Sequence, residues 1–207
     1  MSKKLIISFE GIEGSGKSLH IKNVLKFFKK KKINYIKLRE PGGSKNSEKI
    51  RKLILNNKSN FEKKTDLLLY LAARNENIHS VIKKNYKKKI IILDRFIDST
   101  IAYQHYGMKI DKKIIKIINN YILKNIKIDF TFLHIVNKSN LKVRLKKRKF
   151  LNRYDRFSSS FYNKVQNGFL KQSKIYKKKY LIINSNKKIE ENKNIIITKI
   201  QNLLLIK

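Results

Sequence analysis

The sequence predicts an α/β fold with a five-stranded parallel sheet and helices on both faces of the sheet. Short runs of β-branched and aromatic residues alternate with segments of helical periodicity along the whole chain. Some of these runs are continuously apolar, which is typical of strands buried on both faces. The chain has 207 residues, of which 41% are hydrophobic, so we predict a single domain over residues 1–207.

Each element follows from a local pattern. Five apolar runs are predicted strands: residues 5–9, 33–38, 90–93, 130–136 and 181–184. Apolar residues at spacings of three and four predict helices that begin at residue 17 and that cover 47–55, 65–84, 99–106, 112–123, 141–149, 161–178 and 194–205. Thr65 is a plausible N-cap for the helix over 65–84. Residues 148–160 are polar and irregular.

The net charge of +37 raises the question of nucleic-acid binding. Only eight of the 51 basic residues are arginine, and the lysines are scattered over predicted helix faces. We attribute the charge to a composition rich in lysine, isoleucine and asparagine and predict no specific nucleic-acid partner; a polyanion-binding surface is the alternative.

Cysteine is absent, which fits a cytoplasmic location, and no apolar run approaches the roughly 18 residues of a membrane span.

Three of the seven glycines lie in one stretch, residues 9–18, which reads FEGIEGSGKS. It matches the pattern G-x4-G-K-[ST] between a predicted strand and a predicted helix. Glycines let the backbone aim N–H groups at phosphates, the helix N-terminus adds positive potential, the lysine reaches the β- and γ-phosphates and the serine offers a hydroxyl to Mg²⁺. The pattern predicts a nucleoside triphosphate site in a P-loop NTPase fold, formed by Gly11, Ile12, Glu13, Gly14, Ser15, Gly16, Lys17 and Ser18.

A GTPase is excluded by the remaining motifs. No glycine has an aspartate three residues before it, so the D-x-x-G motif is missing. The sequence NKSN at 137–140 ends in Asn140, where guanine recognition needs a carboxylate.

The ends of other predicted strands carry further polar side chains, and ligands of open α/β sheets sit at these ends. Arg39 and Asp94-Arg95 follow the second and third strands, and two arginines suit the grip of a second phosphate. Tyr70 and Arg74 share one helix face, where they could stack on a flat base and bond its edge. The alternatives are a structural ion pair for Asp94-Arg95 and a core position for Tyr70.

The motifs FEGIEGSGKS, REPGGS, LLLYLAAR and LDRFIDSTIAYQ, with the arginine-bearing segment from Arg148, resemble the thymidylate kinase family in order and spacing. The resemblance covers residues 5–175 and implies a fold of the nucleoside monophosphate kinase type, ATP and Mg²⁺, dTMP as acceptor, and a homodimer.

The resemblance also implies roles for individual residues. Glu13 would accept a hydrogen bond from the 3′-hydroxyl, and Arg39 and Arg95 would hold the acceptor phosphate. The base and sugar would be read by Tyr70, Arg74, Ser99, Tyr103 and Gln104. Pro41 would follow a cis peptide, and Asp94 would position Mg²⁺ or its waters.

The phosphate loop contains no arginine, so the resemblance implies that the lid, residues 148–160, supplies the catalytic cation. We rank Arg153 first and Arg148 second, with Arg156 also in the lid; the alternative is a basic, solvated helix end. His134, Asn152 and Asn184 depart from the family pattern, which leaves lid geometry and adenine contacts open. The rival functions are a relaxed nucleoside monophosphate kinase and a catalytically weakened P-loop protein that binds nucleotide or nucleic acid.

Overall fold

The computed structural model describes residues 4–148 and 151–205. Its strands form one parallel sheet in the order β2-β3-β1-β4-β5. The strands are β1 (Ile6–Glu10), β2 (Tyr35–Arg39), β3 (Ile90–Asp94), β4 (Phe130–Ile135) and β5 (Tyr180–Asn184). The sheet therefore confirms the predicted five parallel strands, with β2 and β3 on one side of β1 and β4 and β5 on the other.

Helices fill the connections between the strands. The α-helices are α1 (Lys17–Lys30), α2 (Lys45–Leu55), α3 (Lys63–Asn77), α4 (Lys83–Asn85), α5 (Ile97–Thr100), α6 (Lys112–Leu123), α7 (Lys138–Lys146), α8 (Ser159–Ile175) and α9 (Ile189–Leu205). Two π-helical segments, Ile78–Ile82 and Ile101–Gly107, and two 3₁₀ turns, Arg153–Arg156 and Lys177–Lys179, complete the described elements. None of the helices in the described part of the chain is long and apolar enough to cross a membrane.

Both faces of the sheet are covered because the side chains of each strand alternate between them. On one face Ile7 and Phe9 of β1 pack with apolar side chains of α1 and α9. On the other face Ile6 packs with side chains of α3 and α6. The central strand β1 is buried along its whole length, whereas the edge strands β2 and β5 are partly exposed.

Several predicted boundaries were wrong. The helix expected over 65–84 begins at Lys63 and is capped by Glu62, whose side chain accepts from the Lys64 backbone, so Thr65 is not the N-cap. A π-helical segment interrupts it from residue 78, and the helix expected over 99–106 is largely π-helical as well. Helix α7 begins at Lys138, because Asn137 caps it, and ends at Lys146. The predicted helix end at Lys149, and positions 149 and 150 of the lid, lie outside the described residues.

Candidate active site

A cleft of about 390 Å³ opens at the carboxyl ends of the strands. The phosphate loop forms one wall, and the chain after β2, the end of β3, helix α3 and the lid form the others. Six cationic side chains line it: Lys17, Arg39, Arg51, Arg95, Arg144 and Arg148. A concave site with this charge is suited to polyanions such as nucleotide phosphates.

The backbone of the phosphate loop adopts conformations that favour glycine. Gly11, Gly14 and Gly16 all have positive φ, at 134°, 67° and 83°. A Cβ atom at Gly11 would lie 2.2 Å from the carbonyl oxygen of His134, so a side chain there would collide with β4. Ser18 follows Lys17 in the first turn of α1 and also lines the cleft.

The ammonium of Lys17 lies inside the loop. It donates to the carbonyl oxygens of Gly11 and Ile12, both at 2.8 Å, and to the hydroxyl of Ser15 at 3.3 Å. Burial, with a smaller contribution from the nearby charge of Arg95, lowers the pKa of Lys17 to about 7. A phosphate group beside it would favour the charged form and raise this pKa.

A second cation supports the outside of the loop. Arg144 on α7 donates to the carbonyl oxygen of Gly14 at 3.0 Å and to that of Ser185 at 2.6 Å. The hydroxyl of Ser185 donates to the carbonyl of Ser15 at 2.6 Å. The segment after β5, where the sequence departs from the family at Asn184, therefore contacts the phosphate loop directly.

Arg95 and Glu13 form an ion pair across the cleft, between the end of β3 and the phosphate loop. Nη2 of Arg95 donates to Oε1 of Glu13 at 2.7 Å, and the hydroxyl of Tyr103 donates to Oε2. Nη1 of Arg95 donates to the Gly11 carbonyl at 2.8 Å, and its guanidinium lies 5.2 Å from the centre of the Tyr103 ring. Glu13, the predicted acceptor for the 3′-hydroxyl, and Arg95, the predicted phosphate clamp, thus contact each other.

A narrow extension of the cleft, about 30 Å³, contains the predicted base-reading residues. Tyr70, Arg74, Ser99, Tyr103 and Gln104 all line it, together with Glu13 and Arg95. The amide nitrogen of Gln104 is buried and has no hydrogen-bond partner among the described residues. Burial raises the pKa of Tyr70 to about 12, so its ring remains a neutral phenol.

Arg74 is only 1% exposed and already holds three partners. It is paired with Glu40 at 2.8 Å and donates to Asn119 at 2.6 Å and to Thr100 at 2.9 Å. Its guanidinium also lies 4.8 Å from the centre of the Phe96 ring. The residue therefore joins α3 to α6 and to the turn after β2, besides lining the base pocket.

Two more arginines lie at the REPGG turn, Arg39 at its start and Arg51 on the helix that follows it. The peptide bond between Glu40 and Pro41 is cis, which confirms the expectation for Pro41. Arg39 is paired with Glu48 of α2 at 3.0 Å, and Arg51 of the same helix donates to the Pro41 carbonyl. Burial lowers the pKa of Arg51.

The lid arginines point to different places. Arg148 lines the cleft and is paired with Asp155. Arg153 does not line it: its guanidinium is paired with Asp66 of α3, and the other carboxylate oxygen of Asp66 accepts from Tyr154. The ranking of Arg153 before Arg148 therefore does not fit this geometry. Arg156 is exposed on the 3₁₀ turn.

Asn152 keeps the lid turn capped despite its departure from the family pattern. Its side chain accepts from the Tyr154 backbone at 2.8 Å, and Asp155 accepts from the Asn152 backbone at 3.1 Å. These reciprocal bonds form a capping box for residues 153–156.

Two oxygen-bearing side chains in the cleft suit Mg²⁺. The Ser18 hydroxyl and the Asp94 carboxylate both line the cleft, and no group of three His, Cys, Asp or Glu in residues 4–148 and 151–205 could hold a metal. Mg²⁺ is commonly bound by one or two protein oxygens plus substrate phosphates, so this donor set fits the ion.

The histidines, for which the sequence predicts no catalytic role, line none of the described cleft. His20 and His134 lie beneath the loop with their ring centres 5.4 Å apart. Burial, followed by the charge of Lys17, lowers the pKa of His134 to about 3, so its ring is neutral.

Sequence reasoning missed Arg51 and Arg144. A usable signal was present, because arginine is rare in this lysine-rich chain. Five of the eight arginines line the cleft, a concentration that scattered lysines do not show.

Comparison with known proteins identifies the family of the chain. The family model of thymidylate kinase matches residues 9–196. The chain belongs to the thymidylate kinase family. A thymidylate kinase of Thermosipho africanus is 36% identical over 187 residues, covering 90% of this chain and 92% of that protein. A thymidylate kinase of Acholeplasma laidlawii is 36% identical over 200 residues, covering 95% and 98%.

A solved structure shows the same fold. The crystal structure of thymidylate kinase from Ehrlichia chaffeensis superposes with a TM-score of 0.78 at 29% identity, covering 97% of this chain and 99% of that one. Membership of the thymidylate kinase family confirms the resemblance, the nucleoside monophosphate kinase type of fold and the assignment to kinases that use ATP. A P-loop protein devoted to nucleic-acid binding is not favoured.

Proposed function

We propose that the arginine-lined cleft is the active site at which this member of the thymidylate kinase family transfers the γ-phosphoryl group of ATP to dTMP. The products are ADP and dTDP, a step in the synthesis of dTTP. The observation that carries this proposal is the meeting of Lys17, from the phosphate loop, with five arginines from other segments of the chain in one cleft.

The nucleophile requires little help from the protein. It is a phosphate oxygen of dTMP, and the second pKa of a phosphate monoester is about 6, so the oxygen is ionised near neutral pH. Catalysis then consists of positioning and of charge neutralisation while two anions approach each other. No general base has to be assigned.

The donor and acceptor phosphates would lie against different cations. The backbone of residues 11–18 and Lys17 would hold the β- and γ-phosphates of ATP, and Arg144 would support the loop near the adenine side. Arg39 and Arg95 would hold the phosphate of dTMP, with Arg51 beside them. Arg148 would close on the transferred group, as a cation at that position stabilises the transition state.

Mg²⁺ would be held by Ser18 and Asp94 with the phosphates of ATP. When bound, the ion neutralises negative charge on the phosphate oxygens. Ser18 and Asp94 line the same cleft as Lys17, which supports this assignment.

The base pocket supports thymine as the acceptor base. The unpartnered amide nitrogen of Gln104 suits a carbonyl oxygen of a pyrimidine, and Tyr70 offers a ring for stacking. Tyr103 touches Glu13 beside this pocket, where it would crowd a 2′-hydroxyl. The rings of Tyr70 and Tyr154 meet edge to face at 5.9 Å, so lid opening would widen the pocket for the base.

We also propose that two copies pair through α6. Ile114, Ile117 and Tyr121 form one face of this helix and are 47%, 67% and 80% exposed. Helix α3, which packs on α6, exposes Leu68. The family resemblance implies a homodimer, and this stripe is an apolar surface suited to it.

A cytoplasmic location remains a prediction.

The deciding experiment measures ADP release from ATP and Mg²⁺ with dTMP, dUMP, dCMP, dGMP and AMP offered separately. We expect turnover with dTMP well above the other acceptors, and none in Lys17→Ala. Equal turnover with dTMP and dUMP would favour a relaxed nucleoside monophosphate kinase. No turnover with any acceptor would overturn the proposed active site.

A further inference from the structure

A buried carboxylate lies directly behind the turn that carries Arg95. Glu10, the last residue of β1, is fully buried. Its Oε1 accepts from the backbone N–H of Phe96 at 2.7 Å and from the hydroxyl of Ser8 at 3.1 Å. Its Oε2 accepts from the hydroxyl of Ser99 at 2.6 Å.

The turn itself needs such support. Arg95 has a φ of 70°, a left-handed conformation that a long side chain adopts at a cost. Its own N–H donates to the Phe9 carbonyl at 3.0 Å, and the next N–H, that of Phe96, donates to Glu10. Glu10 therefore satisfies a buried backbone donor at the point where the chain leaves β3 in a strained conformation.

Glu10 also reaches the guanidinium of Arg95 through one hydroxyl. Ser99 donates its hydroxyl proton to Glu10 and accepts from Nη1 of Arg95 at 3.2 Å. The carboxylate thus acts on the same arginine twice, on its backbone through Phe96 and on its side chain through Ser99. Neither contact exposes Glu10 to the phosphate cleft, since Glu10 does not line it.

We propose that Glu10 is a positioning residue for the acceptor phosphate, because its two carboxylate oxygens fix the backbone and the guanidinium of Arg95. The inference rests on the proposed role of Arg95 as phosphate clamp. An arginine held in one orientation loses less freedom when it binds a phosphate, which favours affinity for dTMP.

A second carboxylate nearby provides a matched control. Asp98 lies with Glu10 along a separate cavity of about 470 Å³, behind the active site, which Lys116, Lys124, Lys127 and Lys179 also line. Asp98 accepts from the hydroxyl of Tyr180, whereas the Phe96 N–H and the Ser99 hydroxyl donate to Glu10. It lines the same cavity and carries the same carboxyl group, but the bonds through Phe96 and Ser99 that lead to Arg95 belong to Glu10.

The test compares dTMP with thymidine, which lacks the phosphate, by calorimetry in Glu10→Gln. The amide has the same size but can accept at only one of its two terminal atoms, so one bond to the turn is lost. We expect the affinity for dTMP to fall by up to about tenfold, the effect of removing one hydrogen bond, with thymidine and ATP affinities changed less than about twofold. Asp98→Asn should leave the ratio of dTMP to thymidine affinity unchanged.

Two further variants separate this inference from the proposed function. Arg95→Lys should lower dTMP affinity selectively, and if it lowers thymidine affinity equally, the clamp role of Arg95 fails. If Arg95→Lys is selective and Glu10→Gln weakens dTMP and thymidine equally, or neither, Glu10 is not a positioning residue. The double variant should lose less than the sum of the two single changes, because Glu10 acts through Arg95.

Poor folding of Glu10→Gln would not leave the question open. Glu10→Asp keeps the carboxyl group and withdraws both oxygens by one methylene group. It should weaken dTMP selectively over thymidine, and an equal loss for the two ligands would overturn the proposal.

Discussion

The carboxylate of Asp66 on α3 is ion-paired with Arg153 in the 3₁₀ turn of the lid. The same carboxylate accepts from Tyr154, whose ring lies edge-on to Tyr70 one helical turn beyond Asp66. The lid is therefore tied to the helix that carries the proposed thymine-stacking ring. In this arrangement Arg153 holds the lid, and Arg148 is the lid arginine that reaches the cleft.

Arg148→Ala should lower kcat by about 10³-fold, the lower end of the effect of removing a transition-state arginine. Arg153→Ala should instead lower the melting temperature and raise KM for dTMP, since the buried carboxylate of Asp66 would lose its charged partner. Steady-state kinetics and thermal melting separate the two. Arg156→Ala, an exposed arginine of the same turn, serves as control and should change neither. A larger loss of kcat in Arg153→Ala than in Arg148→Ala would restore the order that the sequence suggested.

Lys17 should make the unliganded protein more stable as pH rises above neutrality. Burial lowers its pKa from 10.5 to about 7, so between these values the folded state has released a proton that the unfolded state still holds. Stability therefore rises with pH in this window, by about 1 kcal/mol per unit relative to Lys17→Met, and the penalty is fully present below pH 7. Denaturant unfolding of both proteins from pH 7.5 to 9.5 measures the difference. Parallel stability curves would contradict a buried, neutralised lysine.

Glu10 should have the opposite effect at lower pH. Burial, with a further contribution from Asp98, raises its pKa from 4.5 to about 7, so between these values the folded state keeps a proton that the unfolded state has lost. Stability falls as pH rises through this window, by about 1 kcal/mol per unit relative to Glu10→Gln. The measurement is denaturant unfolding from pH 5 to 6.5. The prediction is wrong if the free energy of unfolding of the wild type rises with pH, relative to that of Glu10→Gln, between pH 5 and 6.5.

The exposed stripe of α6 should control the oligomeric state. Ile117→Lys places a charge in the proposed interface and should shift the sedimentation coefficient from dimer to monomer. Ile175→Lys is the control, because Ile175 on α8 is 61% exposed, close to the 67% of Ile117, and lies outside the stripe. Retention of the dimer in Ile117→Lys, or its loss in Ile175→Lys, would place the interface elsewhere.

The alternation of strands and helices and the phosphate loop were readable from the amino-acid sequence alone. These features are readable because each depends on local chemistry: an apolar period, a glycine that must adopt positive φ, or a lysine and a serine at fixed places after a strand. The glycine loop is of this kind, whereas the cis bond before Pro41 and the roles of the proposed base-pocket residues were expected from the family resemblance.

Which residues each arginine contacts became visible only in the folded chain. Arg144 meets Gly14 across 130 positions, and Arg153 meets Asp66 across 87. Such pairs leave no periodic trace in the chain, because parallel strands joined by helices bring distant ends together at one edge of the sheet. The sequence also failed to predict the helix start after Glu62 and the change to π-helix at Ile78. Backbone and side-chain hydrogen bonds, rather than the spacing of apolar residues, decide where a helix starts and where it becomes π-helical.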